Sequence, residues 1–349
     1  MSAVEAGFEV AQQAARTMTG SAIGHIERVG GGLNSSVYRL ESSGHVYALK
    51  QYPRREGDPR ERLTTEVAAL ELMARHGVDC VPRVIAFDHD LGCALFEWIE
   101  GAAVDDVAEY DIDQAVAFIK AIHGLRHTSD AAKCGRDVEA CLSAAEIERQ
   151  IRKRLVGLQT HATGENELHA FLDQEFASAL EIITTEARVQ MMSAETDFDT
   201  ELPPDRRSLI ASDFGFHNAL RRADGSLVFL DFEYFGWDDP VKLVADTLQH
   251  PGSILPNWAV QTFRESAERT YSDIPGYRDR FDALYPLFGL RWCLIVLNAF
   301  LPDRWHRRPP SRANSTWSDV KARQLTKARM IIECLVHSDT GTIDGNQGR

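Results

Sequence analysis

Residues 209–220 read LIASDFGFHNAL and residues 227–240 read LVFLDFEYFGWDDP, two apolar runs joined by the turn signal Ala223-Asp224-Gly225. Each run has the content of a short buried strand, and each breaks on an aspartate, Asp213 in the first and Asp231 in the second. Asn218 follows Asp213 by five residues on a tight turn, and Asp231 follows Asp213 by 18 residues at the end of an apolar strand. One aspartate in a turn is ordinary, because its side chain caps its own backbone. Asn218 and Asp231 offer hard oxygen ligands for a divalent cation, with the Asp213 carboxylate beside them.

Three features upstream stand in an order that fits the same chemistry. Residues 28–40 read RVGGGLNSSVYRL, where the triplet Gly30, Gly31, Gly32 separates two strand-like runs. Such backbone serves either as a plain hairpin turn or as a cover that offers free N–H groups to phosphate. It is not a Walker A loop or a dinucleotide fingerprint, since a strand follows it and not a helix. It approximates the loop G-x-G-x-x-G-x-V, as Gly30, Gly32, Ser35 and Val37, with serine in the third glycine position. Next, VYALK at 46–50 alternates as a strand, so that Val46, Ala48 and Lys50 share one face. A lysine there either snorkels to water at a sheet edge or meets an anion. Sixteen residues on, Glu66 lies on the apolar stripe of a helix spelled by Leu63, Val67, Leu70 and Ala74. A carboxylate on a buried face needs a cation, and Lys50 is the candidate.

Phosphoryl transfer requires little else: a carboxylate to orient the attacking hydroxyl and oxygen ligands for Mg2+ at the triphosphate. On these motifs, the chain resembles the aminoglycoside phosphotransferase/choline kinase family of small-molecule kinases over roughly residues 25–300. The resemblance implies an α+β, protein-kinase-like fold of two lobes, a small antiparallel-sheet lobe with one helix and a larger, mainly helical lobe. It implies ATP and Mg2+ as cofactors. Gly30 to Ser36, with Asn34 and Ser35 among them, would cover the ATP phosphates, Lys50 would hold the α/β-phosphates pinned by Glu66, and Ala48 would line the same face. The segment Phe96 to Ile99, with Glu97 and Trp98, would be the hinge that meets adenine. Asp213 matches the catalytic aspartate, and Asn218 and Asp231 match the metal ligands. The form DFEY with Glu233 is similar to choline-kinase-type members, and DDPVKLVAD resembles the family's Asp-Pro segment with a following buried aspartate, Asp246. One departure stands out: the family places a histidine that supports the loop two residues before the catalytic aspartate, where this chain has Ala211. His217, beside Asn218, is expected to be a bystander and not its replacement.

Outside these motifs, residues 1–20 form a helix or a loose leader, and the pattern is strand-like from about Ile23 to Trp98. Helical periodicity covers 112–126, 143–160 and 165–192, and returns after Pro240 apart from a basic, Pro-rich loop at 302–316. The expected domains are a nucleotide-binding lobe at 1–100 with its hinge near 97–101, a helical lobe at 101–337, and a tail at 338–349. The acceptor would lie against the helical lobe. Trp258, Trp292, Trp305 and Trp317 with Tyr271 and Tyr285 form either a cage for a quaternary ammonium or plain core. The acidic residues Glu195, Asp197, Asp199 and Glu201 line a pocket for a polycation or a solvated loop. Arg291 and Asn298, seven apart, share a helix face that holds an acceptor or points to solvent.

Composition bounds the alternatives. The 349 residues are 44% hydrophobic and 26% charged, ordinary globular values, and 38 basic against 52 acidic residues give a net charge of −14. That balance disfavours nucleic acid and anionic membrane as partners; the partner the family resemblance implies is a small-molecule hydroxyl acceptor. Six scattered cysteines show neither zinc-finger spacing nor a disulfide framework. The N-terminus lacks a signal-peptide pattern, and the apolar stretch from Ala283 to Leu301 is interrupted by Pro286, Gly289, Arg291 and Asn298, so a cytoplasmic protein with a buried helix there is expected. The expected activity is transfer of the ATP γ-phosphoryl group to an aminoglycoside- or sugar-like hydroxyl. Choline or ethanolamine is the alternative acceptor class, and a nucleotide-binding pseudokinase is the alternative to an enzyme. A protein kinase is disfavoured because no Ala-Pro-Glu-like anchor follows Asp231.

Overall fold

The computed structural model describes residues 3–30, 35–53, 61–252, 255–301 and 316–337. The chain forms two compact units, one of residues 1–140, 204–248 and 252–273, the other of residues 141–203, 249–251 and 274–349.

The first unit carries a five-stranded antiparallel sheet. Its strands are β1 (Ile23–Gly30), β2 (Ser36–Ser42), β3 (His45–Gln51), β4 (Val84–Asp88) and β5 (Cys93–Glu97), in the order β1-β2-β3-β5-β4. The period of two sorts the side chains of β2, β3 and β5 into two sets. Tyr38, Leu40, Leu49 and Leu95 face α1 (Ala3–Thr19), whose Ala11, Ala14 and Ala15 are small enough to let the helix lie close on the sheet. Ala48 and Lys50 point to the other face, with Leu49 paired to Tyr38 and Leu95 and Lys50 paired to Val37 and Ala94. The helix predicted around Glu66 is α2 (Arg62–Arg75), and it buries Leu63, Glu66, Val67 and Leu70 as the stripe requires. Gly77, with φ +75°, follows its end, a conformation that L side chains rarely adopt.

The segment 208–238 folds into short ribbons beside α3 (Glu109–Leu125). The pair β7 (Ser208–Ala211) and β10 (Phe235–Asp238) is antiparallel, while β6 (Ala102–Ala103), β8 (Ala219–Arg221) and β9 (Leu227–Phe229) form a second small sheet. The turn at Ala223-Asp224-Gly225 lies between β8 and β9, with Asp224 Oδ1 accepting from Ser226 N at 2.9 Å. A phenylalanine cluster fixes the ribbons on α3. Phe118 lies 5.2 Å from Phe214, 4.8 Å from Phe229 and 5.9 Å from Phe232, ring centre to ring centre. Phe214 and Phe232 immediately follow Asp213 and Asp231, so burying the rings holds both aspartates at the surface of one packed layer. The unit is completed by α7 (Pro240–Gln249) and α8 (Asn257–Thr270), the latter packed on α3.

The second unit is helical: α4 (Ala144–His161), α5 (Asn166–Ala170), α6 (Ala177–Ser193), α9 (Tyr277–Val296) and α10 (Trp317–His337). Ser143 caps α4 by accepting from Glu146 N at 3.1 Å. The periodic run at 165–192 contains a π-helical turn, Phe171–Phe176, between α5 and α6. The helix α9 is the centre of this unit, with Leu284, Leu287, Phe288, Leu290 and Leu294 fully buried against α4, α6 and α10. The segment Tyr277–Phe300 is long and apolar enough to cross a membrane by length and composition, and 67% of its apolar window is buried in the protein. The loop expected at 302–316, apart from Thr316, and the tail at 338–349 lie outside the described residues.

Candidate active site

Lys50 is the centre of the polar cluster in the first unit. Its Nζ donates to Glu66 Oε2 at 2.6 Å and to Asp231 Oδ1 at 2.7 Å, and stands 3.8 Å from Glu233 Oε2. The strand-face and helix-stripe arguments therefore converge on a real ion pair, buried on both sides. Glu66 is held from two further directions. Tyr52 donates its hydroxyl to Glu66 Oε2 at 2.6 Å, and Phe232 N donates to Oε1 at 3.3 Å. Arg62 Nε lies 3.6 Å from Glu233 Oε1.

This cluster shifts its own proton affinities. Burial alone would push the Lys50 ammonium down, but the carboxylates of Glu66, Asp231 and Glu233 outweigh it and hold the pKa above the usual lysine range. Burial raises Glu66 despite the Lys50 charge beside it. Burial and then the Asp231 charge push Glu233 up to about 7. Tyr52 is raised well above its ordinary value, first by burial and then by Glu66.

Asp213 lies two residues past the end of β7, in a turn closed by Phe214 N donating to Ala211 O at 3.1 Å and Asn218 N donating to Gly215 O at 3.0 Å. The Asn218 amide nitrogen donates to Asp213 O at 2.9 Å, which leaves its amide oxygen as a ligand atom. Leu230 N donates to Asn218 O at 2.8 Å and so ties this turn to the approach of Asp231. Asp231 itself has φ +68°, a left-handed conformation that aspartate tolerates better than most side chains. The Asp213 and Asp231 side chains remain 37% and 31% exposed, open to a ligand while their neighbouring phenylalanines are buried.

His217 stands closer to the site than its place in the sequence suggests. Its Nε2 lies 3.2 Å from Asp213 Oδ1, so the residue expected to be a bystander touches the predicted catalytic carboxylate. No periodic signal marks it, because the two residues meet through a 3-10 turn, Phe216–Asn218. Tyr52 was also missed, although the period of two puts it on the Lys50 side of β3.

The other predicted residues take these places. Gly30 ends β1 opposite Val37, Ser35 is buried, and Ser36 opens β2 opposite Gln51, whereas Gly31, Gly32 and Asn34 lie outside the described residues. Ala48 pairs with Phe96 on the face of Lys50. Glu97 N already donates to Arg83 O at 3.0 Å. Trp98 donates its indole N–H to Glu100 at 2.8 Å beneath the Arg39 guanidinium, and Ile99 is buried. Asp246 is buried in α7 as expected.

The acceptor candidates fare less well. Tyr271 is fully buried and Trp292 packs edge-on against His250, which is core behaviour, and Trp305 lies outside the described residues. Glu195, Asp197, Asp199 and Glu201 are exposed, with Asp197 capping Asp199 N at 3.0 Å, as in a solvated loop. Arg291 is buried and so does not mark a solvent stripe.

Residues 25–284 match the model of the phosphotransferase enzyme family, well over half of the sequence. The chain belongs to that family. The phosphotransferase also resembles solved structures. A spectinomycin phosphotransferase bound to ADP and spectinomycin has a TM-score of 0.62 at 12% identity, over 93% of this chain and 98% of the other. A choline kinase from Streptococcus pneumoniae has a TM-score of 0.58 at 15% identity, over 91% and 96%. A thermostable mutant of an aminoglycoside phosphotransferase, bound to AMP-PNP and hygromycin B, has a TM-score of 0.55 at 15% identity, over 92% and 96%. At these identities the structures establish a shared kinase-like fold. No curated protein matches the sequence. The chain is thus a small-molecule kinase with an α+β fold, the class expected from its motifs.

Proposed function

We propose that the protein transfers the γ-phosphoryl group of ATP, with Mg2+, to a hydroxyl of a small polar acceptor of aminoglycoside- or sugar-like chemistry. The observation that carries this is the Lys50 ammonium bridging Glu66 and Asp231 at 2.6 and 2.7 Å, in the same unit as the Asp213–Asn218 turn. Asp213 orients the acceptor hydroxyl and takes its proton late in a loose transition state. Lys50, kept charged by its carboxylate partners, offsets charge on the phosphates. Asn218 and Asp231 would hold the metal ion, which supplies charge neutralisation at the phosphates. The two donors fit a hard cation: the Asn218 nitrogen donates to Asp213 O and leaves the amide oxygen for a metal, and the Asp231 carboxylate is 31% exposed.

Supporting the acceptor class is the likeness to phosphotransferases crystallised with spectinomycin and hygromycin B. A choline- or ethanolamine-type acceptor is the second reading, favoured by Glu233 two residues after Asp231 and by the likeness to a choline kinase.

The deciding experiment measures magnesium-dependent ADP release against aminoglycosides, amino alcohols, sugars and hydroxy amino acids, with Asp213→Asn as the blank. One acceptor class should stimulate release, and the substitution should lower the stimulated rate by at least about 100-fold. Stimulated release that survives Asp213→Asn counts against the assignment, and ATP binding with no release to any acceptor points to the pseudokinase.

A further inference from the structure

The family resemblance puts a supporting histidine where this chain has Ala211, yet the turn is not left loose. One residue on, Ser212 is gripped by a buried ion cluster. Lys242, near the start of α7, has no exposed side-chain surface. Its ammonium lies 3.0 Å from Asp137 Oδ2 and 3.1 Å from Asp238 Oδ2, both carboxylates also fully buried, and it donates to Ser212 Oγ at 2.5 Å. The Ser212 hydroxyl in turn donates to the same Asp137 oxygen.

Asp137 is fixed in its own right. Its N–H donates to Trp237 O at 3.2 Å, Trp237 N donates to Gly135 O at 2.9 Å, and Asp137 Oδ1 accepts from Glu139 N at 2.7 Å. Gly236 makes that approach possible, because a Cβ there would stand 2.5 Å from Asp137 N. Three elements thus meet at one ammonium: the 135–139 segment, the end of β10 with Asp238, and α7 with Lys242.

Burying one ammonium and two carboxylates carries a desolvation penalty that apolar residues of the same size would avoid. Stability alone gives no reason for such a cluster. Its polar link toward the site is Ser212, bonded directly to Asp213. From the other side the Asp213 carbonyl is held by Asn218 at 2.9 Å and its carboxylate by His217 at 3.2 Å. We propose that Lys242, clamped by Asp137 and Asp238, is a positioning residue that fixes the Ser212–Asp213 peptide and so aims the Asp213 carboxylate at the acceptor hydroxyl. The inference rests on the phosphotransfer reading of Asp213 and adds the group that holds it.

The test compares wild type, Ser212→Ala, Ser212→Thr, Lys242→Met and Asp213→Asn as purified full-length protein. Ser212→Ala deletes only the hydroxyl and keeps the ion cluster, so it remains informative even if Lys242→Met fails to fold. The probe is magnesium ATP with water as acceptor, measuring Asp213-dependent ADP release, alongside hydrogen exchange of the 208–219 amides. Ser212→Ala should lower kcat by about 10- to 100-fold with KM for ATP within about twofold, and Ser212→Thr should restore it. The 208–219 amides should exchange at least about tenfold faster in Ser212→Ala. Where wild type is active the rate decides: a Ser212→Ala kcat within about twofold of wild type overturns the proposal whatever the exchange shows. If wild type and Asp213→Asn release ADP equally, the phosphotransfer reading fails by itself. Exchange then decides whether Lys242 holds the turn, and equal exchange in wild type and Ser212→Ala overturns that too.

Discussion

Glu233 holds its carboxylate 3.8 Å from Lys50 and 3.6 Å from Arg62, and burial with the Asp231 charge still raises its pKa to about 7. The folded protein therefore keeps a proton that the unfolded chain releases near its ordinary 4.5. Because the folded state binds more protons across that window, stability contributed by this group is full below about pH 4.5 and is lost as pH rises through about 7. Glu233→Gln abolishes the titration. The drop in Tm between about pH 5 and about pH 8, measured without added metal, should be smaller in the variant than in wild type, and an equal drop would show that Glu233 does not titrate there. Legibility at this scale followed periodicity. Lys50 and Glu66 were readable because a strand repeats at two and a helix at 3.6, so each could be assigned a face before any partner was known. Glu233 follows Asp231 by two residues in a turn where no such repeat operates, and the approach of Arg62 depends on how α2 docks. His217 reaches Asp213 only through the closure of a short turn, which no spacing rule encodes.

Between residues 227 and 237 the sequence is mostly apolar, interrupted by Asp231 and Glu233, with no turn signal to mark where a second strand begins. The protein breaks that stretch: β9 stops at Phe229, Asp231 turns the chain at φ +68°, and β10 resumes at Phe235 to pair with β7. A change of one backbone angle leaves no mark in hydropathy, so β10 was invisible while β9 was not. The close pass of the 135–137 segment against β10 was equally hidden, since only the absence of a side chain at Gly236 permits it. Gly236→Ala would drive a methyl to 2.5 Å from Asp137 N and 2.8 Å from Arg136 C. Backbone cannot swing aside, so the expected loss is about 3 kcal/mol, the upper end of overpacking costs, measured by urea unfolding. A loss under about 0.5 kcal/mol would mean that the segment relaxes freely. The first helix teaches the same lesson in reverse. Residues 1–20 left a helix or a loose leader open, and the three buried alanines of α1 show that it is a fitted cover for the sheet.

At the scale of the molecule, order along the chain was the strongest signal. A glycine turn, a strand lysine, a helix glutamate and two aspartates came in a sequence that few folds other than the kinase-like one place together, and the family match over residues 25–284 agrees. What stayed illegible is the acceptor, because the aromatic and charged residues of the helices expected to meet it serve as core and surface as readily as contact. One long-range connection in the site has a consequence of its own. Lys50 and Asp231, 181 residues apart, neutralise each other across 2.7 Å. A polyphosphate that claims Lys50 strands the Asp231 carboxylate beside more negative charge, and a cation that claims Asp231 leaves Lys50 with Glu66 and the more distant Glu233. Arriving together, they leave neither charge unanswered. On the proposed ATP and Mg2+ reading the pair would act as a coincidence detector, and thermodynamic reciprocity sets its signature: Mg2+ should tighten ADP, and ADP should tighten Mg2+, by one common factor of about 5- to 150-fold in titration calorimetry. If ADP bound equally with and without Mg2+, Lys50 and Asp231 would be neighbours without being linked. With the common factor, the protein admits charge in balanced parcels.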